Sequence, residues 1–195
     1  MPSKIIRNQE QISSKWAGGT TTQLAIFPEN AVYSKRDFLF RISTAKVEAE
    51  ESEFTSLPGV SRVIMIIDGT LFLKHEGHYT KTLQKFETDF FDGSWKTSSK
   101  GKVTDFNLMT TGQASGKLFS RILQPNEISR DPLFTHFDFI GFYPICGKME
   151  VEYSGQKILL VKNDLMLINH ENNPIQIVVK AIEYCEVVIA GVKLG

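Results

Sequence analysis

At 195 residues the chain is long enough to bury a substantial core, either as one large β domain or as two small ones. Its 22 basic residues balance 22 acidic ones, so no net field draws it to nucleic acid or to an anionic membrane. No apolar run approaches the roughly twenty residues that span a bilayer, and Met1-Pro2-Ser3-Lys4 leads into no signal-peptide core. The expectation is a soluble, cytoplasmic protein.

Apolar residues alternate with period two almost throughout, and no stretch keeps a period of 3.6, so the predicted elements are strands. In chain order they cover 20–27, 38–47, 62–68, 70–75 and 105–110. The second half continues with 119–123, 137–143, 148–153, 157–160, 165–168, 175–180 and 187–192. Strands this short, broken by Gly, Pro and Asn, predict an all-β sandwich or barrel. The stretch Thr111-Gly112-Gln113-Ala114-Ser115-Gly116 reads as a linker between halves 1–112 and 113–195. A second break, Gln124-Pro125-Asn126-Glu127, is a candidate for a turn of helix. Lys96, Lys100 and Lys102, among Ser, Thr and Gly, read as a solvated loop. Cys146 and Cys185 lack CxxC spacing and read as two buried thiols.

One segment occurs twice. Ile67-Asp68-Gly69-Thr70-Leu71-Phe72-Leu73, running on to Gly77, returns seventy-eight positions later as Ile145-Cys146-Gly147-Lys148-Met149-Glu150-Val151, running on to Gly155. The same spacing sets Leu83 on Val161, Phe86 on Asp164 and Phe90 on Ile168. Two-residue turns at Glu76-Gly77 and Ser154-Gly155 close the hairpins. The repeat predicts two similar β units, and the extra residues before the first copy hold the densest polar signals.

Alternation over 38–47 sets Phe38, Phe40 and Ile42 on one face, with Leu39, Arg41, Ser43 and Ala45 on the other. Over 105–109, Phe106 and Leu108 share one face while Asp105, Asn107 and Met109 share the other. Either these polar faces are the solvated sides of edge strands, or they line an interior in which Arg41 offers a planar fork to a carboxylate. Arg62 starts the repeated strand after a Pro58-Gly59 turn, and faces the same space or the surface. Trp16-Ala17-Gly18-Gly19-Thr20-Thr21-Thr22-Gln23 reads either as a loop whose N–H groups approach an anion or as a turn into a Thr-rich strand.

His75 and His78 flank a predicted hairpin tip, where a wet rim is expected, and two histidines do not complete a metal site. The matching hairpin carries Tyr153 and Gln156. His136 and His170 are isolated. There is no GxSxG, P-loop or GxGxxG.

Taken in order, Gly18-Gly19-Thr20-Thr21-Thr22-Gln23-Leu24, Phe40-Arg41-Ile42-Ser43-Thr44-Ala45, Phe54…Leu57-Pro58-Gly59-Val60…Arg62, Asp68-Gly69, Phe91-Asp92-Gly93 and Asp105-Phe106-Asn107-Leu108-Met109 resemble the HutD/Ves family of bacterial bicupins. The resemblance spans about residues 14 to 110, and beyond it only the repeat supports the likeness. It implies two packed antiparallel β-barrels of jelly-roll type in one chain. The family is associated with histidine utilisation, where it is proposed to bind a small acidic intermediate and restrain the pathway; other members are described only as stress-related. No established catalysis comes with it, and its members lack the cupin metal set. Carried over by position, its polar pocket draws on Gly19, Thr21, Arg41, Ser43, Arg62, Asp105 and Asn107. The family's usual acid before the Ile/Leu is replaced by Gln23, which hydrogen-bonds without bringing charge.

The expected function is therefore a metal-independent, cofactor-free protein that senses or buffers a small anionic metabolite through Gly19, Thr21, Gln23, Arg41, Ser43, Arg62, Asp105 and Asn107. In that scheme the hydroxyls of Thr20–Thr22 help orient the ligand. The alternative is a cupin-type isomerase, hydrolase or metal-dependent dioxygenase acting on a small carboxylate, with Asp105 as a base in the metal-free case. A third expectation, by fold analogy, is a homodimer formed through the second barrel.

Overall fold

The computed structural model describes residues 3–170 and 176–195. The alternating pattern folds into strands throughout, and the described residues contain no α-helix. In chain order the first strands are β1 (Ser3–Ile6), β2 (Ile12–Trp16), β3 (Gly19–Phe27), β4 (Phe40–Val47), β5 (Glu51–Glu53) and β6 (Val60–Gly69). Then come β7 (Leu71–His75), β8 (Tyr79–Leu83), β9 (Thr88–Asp92), β10 (Thr97–Lys100), β11 (Val103–Thr111), β12 (Ser115–Leu123) and β13 (Ile128–Ser129). The last are β14 (Phe139–Cys146), β15 (Lys148–Tyr153), β16 (Gln156–Val161), β17 (Leu165–Asn169), β18 (Val178–Ala181) and β19 (Cys185–Lys193). Short 3-10 turns lie at Asn8–Glu10, Tyr33–Lys35 and Pro132–Thr135. None is long and apolar enough to cross a membrane.

The chain divides into two compact units, one of Ile12–Gly116 with Gly195, the other of Met1–Gln11 with Lys117–Leu194. In the Ile12–Gly116 unit a six-stranded sheet runs β2-β3-β4-β11-β6-β9 and a four-stranded sheet runs β5-β10-β7-β8. The chain from β4 to β11 passes back and forth between them, so both inner faces share one core. Val47, Ile64, Ile66, Phe91 and Val103 come from the larger sheet, and Leu71, Leu73 and Leu83 from the smaller. Burying each such side chain contributes about 1.5–3 kcal/mol. The larger sheet exceeds its partner by β2 and β3 at one end. That end stays open: β2 is exposed along its length, and β3 is only half-buried from Thr20 to Gln23.

The second unit repeats the plan. Its sheets run β1-β17-β14-β19-β12 and β13-β18-β15-β16, so β12 to β19 retrace β4 to β11 strand for strand in the double Greek-key order of a jelly roll. Its core likewise draws on both sheets, including Ile140, Phe142, Val187 and Ile189 on one and Met149, Val151, Leu160 and Val179 on the other. The units differ from the predicted halves at the N-terminus, because β1 pairs with β17, Ser3 opposite Ile168 and Ile6 opposite Leu165. Arg7 then bonds Asp164 at 2.6 Å and fixes the segment there. Two closed barrels are not what the ladders form. Every sheet keeps free edges, and among the described residues no ladder joins the two sheets of a unit.

The repeat survives with one correction. The first hairpin turns over three residues, His75 pairing with Tyr79, whereas the second turns over two, Tyr153 pairing with Gln156. Ser154 and Gly155 have φ of 52° and 74°, as a type I′ turn requires. Beyond the turn the predicted equivalences are therefore one residue out. Leu83 corresponds to Leu160, both buried, and Phe86 to Asn163, both at φ 69°. Phe91, not Phe90, corresponds to Ile168; Phe90 is 61% exposed. The repeated glycine has a steric cause. A Cβ on Gly69 would lie 2.6 Å from the Lys102 carbonyl oxygen, and one on Gly147 would lie 1.9 Å from that of Tyr184.

Other expectations fail for local reasons. Residues 124–127 make a turn with Asn126 at φ 67°, not a helix. Of the predicted strand 175–180, Ile175 lies outside the described residues, and the strand that forms is Val178–Ala181. Lys100 belongs to β10, not a loop, and pairs with Glu51 at 2.7 Å. Both cysteines are free thiols, but only Cys185 is buried, and burial pushes its thiol up to about 12.

Candidate functional site

Residues directly opposite in neighbouring strands share a face, so the register of the six-stranded sheet defines its inner surface. One row reads Gln23, Ser43, Asn107, Ile64 and Asp89. The row on one side reads Arg41, Met109, Arg62 and Phe91, and the row on the other reads Thr21, Ala45, Asp105 and Ile66. Because Ile64, Ile66 and Phe91 belong to the core between the sheets, the polar residues of these rows face the same interior. Arg41, Ser43, Arg62, Asp105 and Asn107 are each at most 7% exposed. The solvated-edge alternative is excluded for them. Their neighbours Phe40, Ile42, Phe106 and Leu108 are buried on the opposite face, which pins the alternation.

The two arginines are held differently. Arg41 donates from Nε to Gln23 Oε1 at 2.8 Å and from Nη1 to Ser43 Oγ at 3.0 Å. Its guanidinium lies 4.3 Å from the ring centre of Tyr33, on the turn before β4. Arg62 lies over Phe54 at 4.7 Å and Phe91 at 5.2 Å, and its buried Nε has no hydrogen-bond partner. Asn107 donates from Nδ2 to Asp105 Oδ1, leaving its own buried Oδ1 unpartnered. Burial pushes the Asp105 carboxyl up to about 7, against the opposing effects of Arg62, the Asn107 amide and the Ala45 backbone. Burial also brings Arg62 down to about 10 and lowers Arg41.

Gly19 and the threonines are placed by strand packing. Ala17 and Gly18 form the β2–β3 turn, and the Gly18 carbonyl accepts N–H bonds from Glu48 and Ala49 at 2.8 and 3.2 Å. A Cβ on Gly19 would meet the Lys46 carbonyl oxygen at 2.0 Å, so the glycine admits a neighbouring strand. Of the three threonines only Thr21 shares the inner face; Thr22 bonds Ser13 at 2.7 Å on the other side.

The sequence reading missed two features. Tyr33 sits in a polar stretch with no period to mark it. The second is a buried network on β7 to β10. His75 is not at a wet rim: Nδ1 lies 2.8 Å from Thr97 Oγ1 and Nε2 lies 2.9 Å from Asp89 Oδ2. Tyr79 and Lys81 complete the shell by donating to Asp89 Oδ1 at 3.1 and 3.2 Å. His78 instead lies in the turn and stacks on Trp95 at 3.8 Å. Among the described residues no three His, Cys, Asp or Glu side chains gather as a metal-binding group.

The second unit places apolar residues where the first is polar. Ile64 and Phe142 are equivalent, so ladder register equates Arg62 with Ile140, Asp105 with Val187 and Asn107 with Ile189. All three belong to the second unit's core. In the His75 network, Asp89 corresponds to Met166.

A family model described as HutD matches residues 8–187. Among solved structures, a conserved protein of unknown function from Pseudomonas aeruginosa PAO1, PA5104, is similar at TM-score 0.81 and 18% identity, covering 98% of each chain. HutD from Pseudomonas fluorescens SBW25, in a formate condition, gives 0.72 and 20% over 98% of each. A cupin 2 conserved barrel domain protein from Leptotrichia buccalis gives 0.56 and 14%, covering 97% of this chain and 96% of its own. At these identities the likeness establishes an all-β, cupin-like fold.

Proposed function

The chain belongs to the HutD family, and we propose that it is a cupin-type binding protein that holds a small carboxylate on the inner face of its Ile12–Gly116 unit. Arg62 carries this reading. A buried guanidinium without a carboxylate partner is costly, and its Nε has no hydrogen-bond partner at all. Arg41 and Arg62 supply the charge, and Asn107 Oδ1 accepts from a ligand that also carries an N–H or O–H, as glutamate does. Thr21 and Gln23 lie on half-buried β3 beside exposed β2, and Tyr33 packs its ring on the Arg41 guanidinium. Gln23 takes the Arg41 Nε–H without neutralising it, so both positive charges remain available to the ligand.

The role that follows is sensing or buffering an acidic metabolite, which accords with the restraint of histidine utilisation expected of the family. A turnover reading rests on Asp105, whose value of about 7 suits a general base. Proton NMR of each acid incubated with the protein separates the two, since binding leaves its spectrum chemically unchanged.

Thermal unfolding with formate, acetate, succinate, glutamate and the acidic intermediates of histidine breakdown tests the binding. At 100-fold excess over Kd the ligand adds about 2.7 kcal/mol, or about 5–10 °C for a chain of this size. Arg62→Met is expected to abolish that shift while raising the midpoint without ligand. No shift with any acid, together with no gain from Arg62→Met, rejects the proposal.

A further inference from the structure

Building on the carboxylate reading of this site, we infer that ligand binding is coupled to protonation of Asp105, so that the incoming carboxylate displaces an internal one from its part in balancing Arg62. The geometry supplies the competitor. Asp105 lies on the same inner face as Arg41 and Arg62, one row from Asn107, and Arg62 acts on it electrostatically. Neither arginine makes a hydrogen bond to it, so Asp105 acts on Arg62 through space and leaves the Arg62 Nε–H open. Apart from Asp89, which pairs with Lys81, two guanidiniums against one carboxylate leave the face with one net positive charge. A bound monocarboxylate neutralises that charge, and the second negative group then repels Asp105.

Among the described residues, the other ionisable groups of this interior have partners of their own. From β4 the face presents Arg41, from β6 Arg62, and from the turn before β4 Tyr33. β9 presents Asp89, which is held by His75, Tyr79 and Lys81. The four-stranded sheet contributes one buried titratable side chain, His75, with both nitrogens engaged. Asp105 has the Asn107 amide and the Ala45 backbone as its hydrogen-bond contacts, and a carboxyl already pushed up to about 7. An added anion raises it further, so protons are absorbed above neutrality.

The experiment is calorimetric titration of the full chain with formate and with succinate at pH 8, in two buffers of different ionisation enthalpy. Both acids are fully ionised there, so any proton taken up is the protein's. The expected uptake is up to about one proton per ligand, with affinity falling up to about tenfold per pH unit above pH 7 and level below it. Asp105→Asn is expected to abolish uptake and level the affinity from pH 6 to 9. If that variant does not fold, the wild-type uptake alone decides. Binding without proton uptake overturns the coupling and spares the carboxylate reading. No binding of either acid at pH 6, where Asp105 is already protonated, overturns both.

Discussion

Asp105→Asn is also the sharpest probe of the fold's internal electrostatics. The carboxyl titrates near 3.8 in an unfolded chain and at about 7 in the native state. Between those values the native protein holds a proton that the unfolded chain has released. Stability therefore falls as pH rises through this window, and the loss is complete once the native carboxyl ionises. About three pH units at about 1.4 kcal/mol each give a loss on the order of 4 kcal/mol. Asparagine keeps the shape and the neutral form at every pH. The measurement is urea unfolding of both proteins from pH 4 to 9, read as the difference in free energy so that all other groups cancel. The variant should gain on wild type steadily from about pH 4 to 8, by an amount on the order of 4 kcal/mol. Parallel curves would refute the argument, because they would mean that Asp105 ionises normally inside the sandwich.

Three further outcomes follow from particular contacts. Gln23→Glu sets a carboxylate against Arg41 Nε and should lower succinate affinity about tenfold by calorimetry. His75→Ala strips the ring from buried Asp89 and should cost about 3–5 kcal/mol in urea unfolding, with Asp89→Asn added on top restoring part of it. Gly155→Ala meets no atom within 4 Å and should cost only the left-handed backbone penalty of about 1–2 kcal/mol. Gly147→Ala would also push its Cβ to 1.9 Å from the Tyr184 carbonyl oxygen, so its thermal midpoint should drop clearly further.

What the sequence revealed depended on apolar alternation. Strands with an apolar inner face, such as β6, β7, β14 and β15, were legible because period two shows directly which residues turn inward. β10 was not, since Thr97-Ser98-Ser99-Lys100 contains no apolar residue. Its inward hydroxyls are satisfied by partners far along the chain, Thr97 by His75 and Ser99 by Ser52. His75 was misplaced for the same reason: nothing near it in sequence announces Asp89. The polar set on β4, β6 and β11 was legible as a pattern but not as a place. Alternation put Arg41 with Ser43 and Asp105 with Asn107, yet only the ladders β4–β11 and β11–β6 bring the pairs together and bury them. Tyr33 lay beyond reach, because a single aromatic on a 3-10 turn has no period.

The second unit answers the objection that buried polar residues are merely how this fold is built. β12 to β19 repeat the strand order of β4 to β11, and a complete core forms there with Ile140, Val187 and Ile189 at the positions of Arg62, Asp105 and Asn107. The topology thus needs no charge at any of them. Nor do the two polar clusters of the first unit have the same standing. Asp89 receives His75, Tyr79 and Lys81 and has its hydrogen bonds met, so that network accounts for itself as structure. Arg62 Nε and Asn107 Oδ1 have none, although both are buried. A donor and an acceptor left open on one face, where the sister unit closes with isoleucine, persist against the stability of the fold. Under the proposed function, a ligand that meets both is the physical reason for keeping them.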